Sequence, residues 1–430
     1  MKELVLNENI KQIKESSTLA INQKVKDLRS RGVDICHFGF GQSPFPVPEI
    51  VSKELALNSS KKEYLPTKGL LELRIMISKY LKRNFQTNFS SENILIGPGS
   101  KELLYQLLLL IKGTVIIPAP SWVSYRPQRE VSANSYSIMK TQKVNDYKVT
   151  VNDLKNHLNS MNTQEQISII INNPNNPTGH LYSEDEVKEL SLFCKEKNIF
   201  IISDEIYSEI QFSEKSYTSF AKYHPEGTVV TGGMSKIYSA GGYRLGFIAI
   251  PKSMQQLVEA FSSLISETFS SVSSPIQYAS IKAFEENKSI KDYVLKTKEV
   301  HRYISHYIYK ELRRVGVDST IPEGAFYLMI DFSSFRKRLN KVGIYSSIEL
   351  CHKLLNDYHV ALLPGCDFYM EKDALNLRLA TVDYDGKSLL DEVMQNGRVD
   401  EINIEKSTPY IFKGVERIKT FINDLSSMKV

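Results

Sequence analysis

The sequence predicts an α/β fold: a large domain with a mostly parallel mixed sheet flanked by helices, plus a smaller α+β domain formed from both termini. Three observations predict it. Short apolar, β-branched runs alternate with helical stretches from about Ser91 to Ile250. Most of those runs end in a polar or glycine-rich turn. Beyond Pro275 the pattern changes to long helices interrupted by little strand.

The strand candidates are Ile94–Ile96, Thr114–Ile117, Ile167–Ile171, Ile199–Ser203, Thr228–Thr231 and Leu245–Ile250. They are nearly all apolar, as strands covered on both faces should be. Between them lie helices such as Lys101–Lys112 and Ser183–Lys197. Ser183 and Glu186 have the spacing of a capping box at the start of the second. A long helix is expected over about Ser289–Val315, then β stretches at Ala325–Phe332 and Leu375–Ala380, then a terminal helix. The stretch from Gly386 to Gly414 is polar and lacks a clear period, so it reads as a surface excursion. The resulting division is an N-terminal segment at 1–45, a large domain at 46–290 and a small domain at 291–430.

Composition is that of an ordinary globular protein, with 42% hydrophobic and 24% charged residues. The 54 basic and 49 acidic side chains are interspersed, so no basic face points to nucleic acid. The apolar run Leu103–Ile111 is broken by Gln106 and too short to span a bilayer. The opening MKELVLNENIKQIKES lacks the cationic and apolar regions of a signal peptide. Cys36, Cys194, Cys351 and Cys366 have no ligand-like spacing and read as free thiols in a reducing compartment. These features predict a cytoplasmic protein with neither a membrane span nor a metal site.

Chemistry concentrates in the strand-end turns, where open α/β sheets bind ligands. In TGGMSKIYSAGGYRLG, Lys236 is followed eight residues later by Arg244 among glycines. That suits a reactive amine beside an anion that a guanidinium pairs bidentately. Alone it would be a surface loop with two basic residues. In ISDEIY, Asp204 ends an apolar strand, where a carboxylate can hold a protonated ring nitrogen, although a helix N-cap is the commoner reading. Tyr207 is placed to point its hydroxyl the same way, or simply to pack. NNPNNPTG concentrates amides, Asn176 among them, in a turn of a kind that can also be structural only. IGPGSKE is a strand, a glycine turn and a helix start, so its free amides and Ser100 form an anion pocket, although such a turn taken alone is a weak signal. Trp122, the sole tryptophan, follows a strand and can stack on a flat ring, though a rim or core role is more usual. Phe40, Phe45, Tyr238 and Tyr327 are candidates for an apolar pocket lining.

Taken together and in this order, NNPNNPTG, DEIY and SKIYSAGGYRLG resemble the class I aminotransferases of the fold-type I pyridoxal-phosphate enzymes, the aspartate-aminotransferase type. The likeness runs from about Gly39 to Ala380. It implies the aspartate-aminotransferase fold, a homodimer and pyridoxal 5′-phosphate as cofactor. By that resemblance Lys236 is the Schiff-base lysine and the general base and acid. Asp204 pairs with the pyridine nitrogen, and Asn176 and Tyr207 bond the ring oxygen. Gly99, Ser100, Lys101 (through its backbone) and Arg244 hold the phosphate, and Trp122 covers the ring. Tyr64, in YLPTKGLLELR, reaches the phosphate from the neighbouring subunit. Arg378, in LNLRLAT, clamps the substrate carboxylate with help from Asn176 and Gly41.

Three positions depart from the pattern. Gly233 stands where many relatives carry a phosphate-binding hydroxyl, for which Ser235 or backbone amides are the replacement. The common PDF is SPF, and a familiar FG is Asp367-Phe368-Tyr369. The implied reaction is ping-pong transfer of an amino group from an L-amino acid to a 2-oxo acid. The alternatives are a β-elimination lyase or a cyclopropane-forming synthase on the same fold. Asn175, where lyases commonly have His, favours transamination. A DNA-binding regulator needs a module for which about 35 leading residues leave no room. A silent scaffold would not be expected to keep Lys236, Asp204 and Arg378 together.

Overall fold

The computed structural model describes residues 4–5, 8–11, 13–161, 163–214 and 217–427. Parts of the predicted N-terminal segment (1–3, 6–7 and 12) and of the C-terminal one (428–430) lie outside the described residues. After a helix at Ser17–Ser30, the chain forms a short strand, β1 (Cys36–His37). The large sheet follows: β2 (Ile94–Gly97), β3 (Thr114–Ala119), β4 (Tyr136–Lys140), β5 (Ile167–Asn172), β6 (Phe200–Asp204), β7 (Thr228–Gly233) and β8 (Gly246–Ala249). Its spatial order is β2-β8-β7-β6-β5-β3-β4. Strand β8 runs antiparallel to both neighbours, and the pairings from β7 across to β4 are parallel.

All six strand candidates are present. The seventh, β4, is an edge strand whose first three residues are only half-buried, and its YSIMK sequence carries a single β-branched residue. The apolar runs have the expected cause. Val115 and Ile117 face one core with Leu103, Leu107 and Phe261, while Ile116 faces the other with Leu154, Val187 and Leu190. Successive side chains point to opposite faces, so a strand covered twice must be apolar at every position. The helix Glu184–Glu196 carries the predicted box: Ser183 Oγ accepts from the Glu186 amide, and the Glu186 carboxylate accepts from the Ser183 amide.

The second sheet is antiparallel and contains β9 (Asp318–Ser319), β10 (Tyr327–Asp331), β12 (Leu363–Pro364) and β13 (Asn376–Ala380), in the order β12-β13-β10-β9. Strand β11 (Val360–Ala361) instead pairs parallel with β1. Phe38, Val300, Ile304, Leu328, Leu377, Ile418 and Phe421 share one core, which therefore draws on both ends of the chain.

One expectation is corrected. The stretch from Gly386 to Gly414 is not a surface excursion. It forms helices at Gly386–Asn396 and Ile404–Ser407 and the start of Pro409–Ser427. Leu389, Val393, Ile402 and Ile411 are buried in the second core. Gly397 and Pro409 break the segment into separate helices, so no single 3.6-residue period runs through it. Among the described residues no helix is long and apolar enough to cross a membrane.

Candidate active site

A cavity of about 550 Å³ opens where β5, β6 and β7 end, beside the helix Ser100–Leu110 and beneath β13. Ten of the predicted residues line it: Gly41, Ser100, Lys101, Trp122, Asn176, Asp204, Tyr207, Lys236, Arg244 and Arg378. Gly99 lies just outside, its backbone packed against the Arg244 guanidinium. Tyr64 is not among the lining residues and is 91% exposed. Of the four candidate aromatics, Phe40 and Tyr327 line the cavity. Phe45 packs in the core of the second sheet and Tyr238 in a core of the large domain, against Phe284, so neither forms the lining. Another cavity, about 360 Å³, lies at the amino ends of β6 and β7 and holds none of the predicted residues.

The floor is built by strand ends. Asp204 closes β6 and is 4% exposed. Its Oδ2 accepts from Tyr125 Oη at 2.6 Å and its Oδ1 from Thr231 Oγ1 at 3.4 Å. Burial pushes its carboxyl up to about 6, against the pull of the Tyr125 hydrogen bond. The asparagine-rich turn is lashed to this strand end. Asn172 Nδ2 donates to Asp204 O at 2.9 Å, and the Asn176 amide donates to Asn172 Oδ1 at 2.7 Å. Asn176 is thereby fixed at the cavity wall, yet its own Oδ1 is buried without a partner.

Lys236 stands on the turn after β7, half-buried because it borders the cavity. Nζ donates to Gly41 O at 2.6 Å. Desolvation first, then the charges of Arg378 and Arg244, lower its ammonium to about 8, with Asp204 opposing. The departure at Gly233 has a steric cause. A Cβ there would lie 2.8 Å from Leu245 O and 2.9 Å from Gly246 Cα, because β7 and β8 pair closely at that point. Ser235 lines the cavity instead.

Arg244 donates to Gly241 O at 2.9 Å and Pro98 O at 3.0 Å, which holds its guanidinium beside the first turn of Ser100–Leu110. The free amides of that turn and the cation form a ready anion site. Across the cavity, β13 presents Arg378, 1% exposed, with Nη2 donating to Gly39 O at 2.5 Å and Nε unpartnered. An orphaned buried guanidinium nitrogen is costly unless a ligand oxygen meets it. Its guanidinium lies 4.8 Å from the Tyr327 ring, and Tyr327 Oη is 2.9 Å from Tyr207 Oη.

Three residues of this arrangement escaped sequence reading: Tyr125, Thr231 and the hydroxyl role of Tyr327. Tyr125 had one signal, its position three residues after Trp122 at a helix start. Thr231 had none beyond ending a strand.

The chain matches the family described as aminotransferase class I and II over residues 33–385. It is 32% identical over 372 residues to the probable aspartate/prephenate aminotransferase of Aquifex aeolicus, covering 84% of this chain and 91% of that protein. It is also 32% identical over 378 residues to the aspartate aminotransferase of Bacillus sp. strain YM-2, covering 86% and 93%. In fold it is similar to the aspartate aminotransferase from Thermus thermophilus with maleate, with a TM-score of 0.83 and 24% identity over 97% of this chain and 100% of that one. The matched span holds the whole cavity except its rim at residues 16–19, so the chain belongs to the class I and II aminotransferases and is itself an aminotransferase.

Proposed function

We propose that the chain binds pyridoxal 5′-phosphate in this cavity and transfers the amino group of a dicarboxylic L-amino acid, aspartate or a close analogue, to a 2-oxo acid. The observation that carries this is the convergence of Lys236, Asp204, Arg244 and Arg378 on one cavity, with Asn176 Oδ1 and Arg378 Nε left unpaired. When bound, the cofactor supplies an aldehyde carbon that takes the amino group and a ring that withdraws electrons.

The chain's residues do the rest. The Ser100 hydroxyl, Gly99, the amide of Lys101 and Arg244 hold the phosphate. Asp204, kept ionised with help from Tyr125, faces the ring nitrogen, and Asn176 and Tyr207 meet the ring oxygen. Trp122 covers one ring face. Lys236, its amine readily neutral, takes the proton from the substrate α-carbon and returns it at the other end of the transfer. Arg378, Asn176 and Gly41 orient the α-carboxylate. Of the four cavity cations, Lys101 alone is left for a second carboxylate. Its Nζ lies 5.4 Å from the Trp122 ring centroid. Relatives named for aspartate support that reading.

The same reading makes the protein a cytoplasmic homodimer in which Tyr64 reaches the partner's phosphate; the exposed Leu57 and Tyr64 side chains suit an interface. It divides the chain into an N-terminal segment at 1–45, a cofactor domain at 46–290 and a small domain at 291–430. Cys36, Phe38 and Phe45 sharing a core with Ile304 and Ile418 support that division. The test is a set of half-reactions with aspartate, alanine and phenylalanine followed by cofactor absorbance, with borohydride used to fix the cofactor to its lysine. Attachment at Lys236 and faster turnover with aspartate are expected. A Lys236→Ala chain that kept the wild-type rate would overturn the proposal, and a Lys101→Ala chain with unchanged aspartate kinetics would overturn the choice of donor.

A further inference from the structure

The departure at Asp367-Phe368-Tyr369 lies on an arm that crosses between the two sheets. The arm leaves β12 as a short turn, Gly365–Phe368, and Tyr369 follows at φ 70°. Glycine takes that left-handed conformation freely, whereas a tyrosine keeps it only when something holds it there. The phenol is held at both ends of its chemistry. Its hydroxyl donates to Trp122 O at 2.9 Å and accepts from the Arg126 amide at 3.1 Å. One residue earlier, Phe368 O accepts from the Ser121 amide at 3.2 Å. Three hydrogen bonds therefore join the arm to residues 121–126.

Each end of this connection is a wall of the cavity. On the arm's side, the Phe368 ring lies 5.2 Å from the Arg378 guanidinium. On the other side, Trp122 lines the cavity and Tyr125 donates to Asp204 at 2.6 Å. A phenylalanine at 369 would fill the same space against the large-domain core, so packing alone does not call for the hydroxyl.

We infer that Tyr369 is a positioning residue whose hydroxyl clasps the Trp122–Arg126 segment to the Arg378-bearing sheet and so fixes the two walls of the cavity relative to each other. The clasp is a feature of the chain itself; its effect on turnover rests on the transaminase reading above.

Trp122 is the sole tryptophan, so intrinsic fluorescence reports on the clasped segment directly. The full chain and its Tyr369→Phe and Tyr369→Gly variants are compared with and without added pyridoxal 5′-phosphate. In both variants acrylamide quenching of Trp122 is expected to rise about twofold without cofactor. KM for the amino donor should rise about tenfold while kcat stays within about twofold, because the lost contact positions substrate and does not react. Wild-type quenching and KM in Tyr369→Phe, with only Tyr369→Gly loosened, would assign the effect to ring packing and overturn the proposal. A Tyr369→Phe chain that fails to fold would overturn it too, since the hydroxyl would then serve stability. Looser Trp122 in Tyr369→Phe, with no transamination by any form including wild type, would uphold the clasp and refute the proposed function.

Discussion

The phenol of Tyr125 donates to Asp204 Oδ2 across 2.6 Å, and both side chains are buried. The bond favours the ionised carboxylate, while burial pushes that carboxyl up to about 6. Removing the donor should move it further up, so the anion is lost at higher pH as the solution is acidified. Tyr125→Phe is expected to shift the acid limb of the kcat/KM profile upward and to lower activity at pH 6 about tenfold, a charged hydrogen bond being worth roughly 1.5–3 kcal/mol. An acid limb that stays in place would refute this role.

Lys236 is poised near neutrality, its ammonium lowered to about 8. The free amine is what attacks an aldehyde, so cofactor capture should quicken as pH rises through 8, by about tenfold between pH 7 and 9. The linkage sign follows from the same shift. Above about 8 the folded chain has released a proton that the unfolded chain still binds up to about 10.5, so stability gains with pH over that window. Stopped-flow absorbance after cofactor addition tests the first statement, and denaturant melts of the cofactor-free chain test the second.

Arg378 is expected to govern carboxylate binding. Arg378→Ala should lower kcat/KM for amino acids by about a thousandfold, as the loss of a buried charge partner costs roughly 2–5 kcal/mol. Arg378→Lys should recover only part of it, because an ammonium lacks the paired donors of the guanidinium. Equal kinetics for wild type and Arg378→Lys would show that a point charge suffices.

Gly41 allows a close approach. A Cβ there would overlap the Tyr327 phenol, and Gly41 O is also the acceptor for Lys236 Nζ. Gly41→Ala should cost roughly 1–3 kcal/mol through forced displacement and disturb the lysine as well. Urea titration and cofactor affinity should both change; a variant as stable as wild type would mean the loop yields freely.

The C-terminal helices are part of the second core, with Ile411 fully buried. Ile411→Ala should destabilise by about 2–5 kcal/mol, whereas a residue on a surface excursion would cost under roughly 0.5 kcal/mol. Thermal melts discriminate the two.

Sequence alone carried the large sheet and most of the cavity, for a physical reason. Strands covered on both faces must be apolar throughout, and the polar turns that end them mark the ligand edge; Asp204 ends such a strand, and Asn176 and Lys236 sit on the turns that follow two others. Edge strand β4 was missed because exposure removes that pressure, leaving YSIMK without an apolar run. Tyr125 was hidden because it opens a helix while its partner lies 79 residues away at the end of a strand. Residues 386–414 misled because the stretch is divided among the helices Gly386–Asn396 and Ile404–Ser407 and the start of Pro409–Ser427, so no single period runs through it.

Strand β1 pairs with β11, and Arg29 binds Asp383 at 2.7 Å across 354 residues of sequence. A ribosome releases these partners more than three hundred residues apart. The consecutive segments of the large sheet can assemble while the chain is still growing, but β1 must wait, unpaired, until the large sheet and β11 after it have emerged. Contacts of such span fold late and leave apolar surface open meanwhile. The interval of greatest vulnerability to aggregation is therefore the wait between β1 and β11, and Arg378, on β13 further along the chain, joins the cavity wall only after that wait.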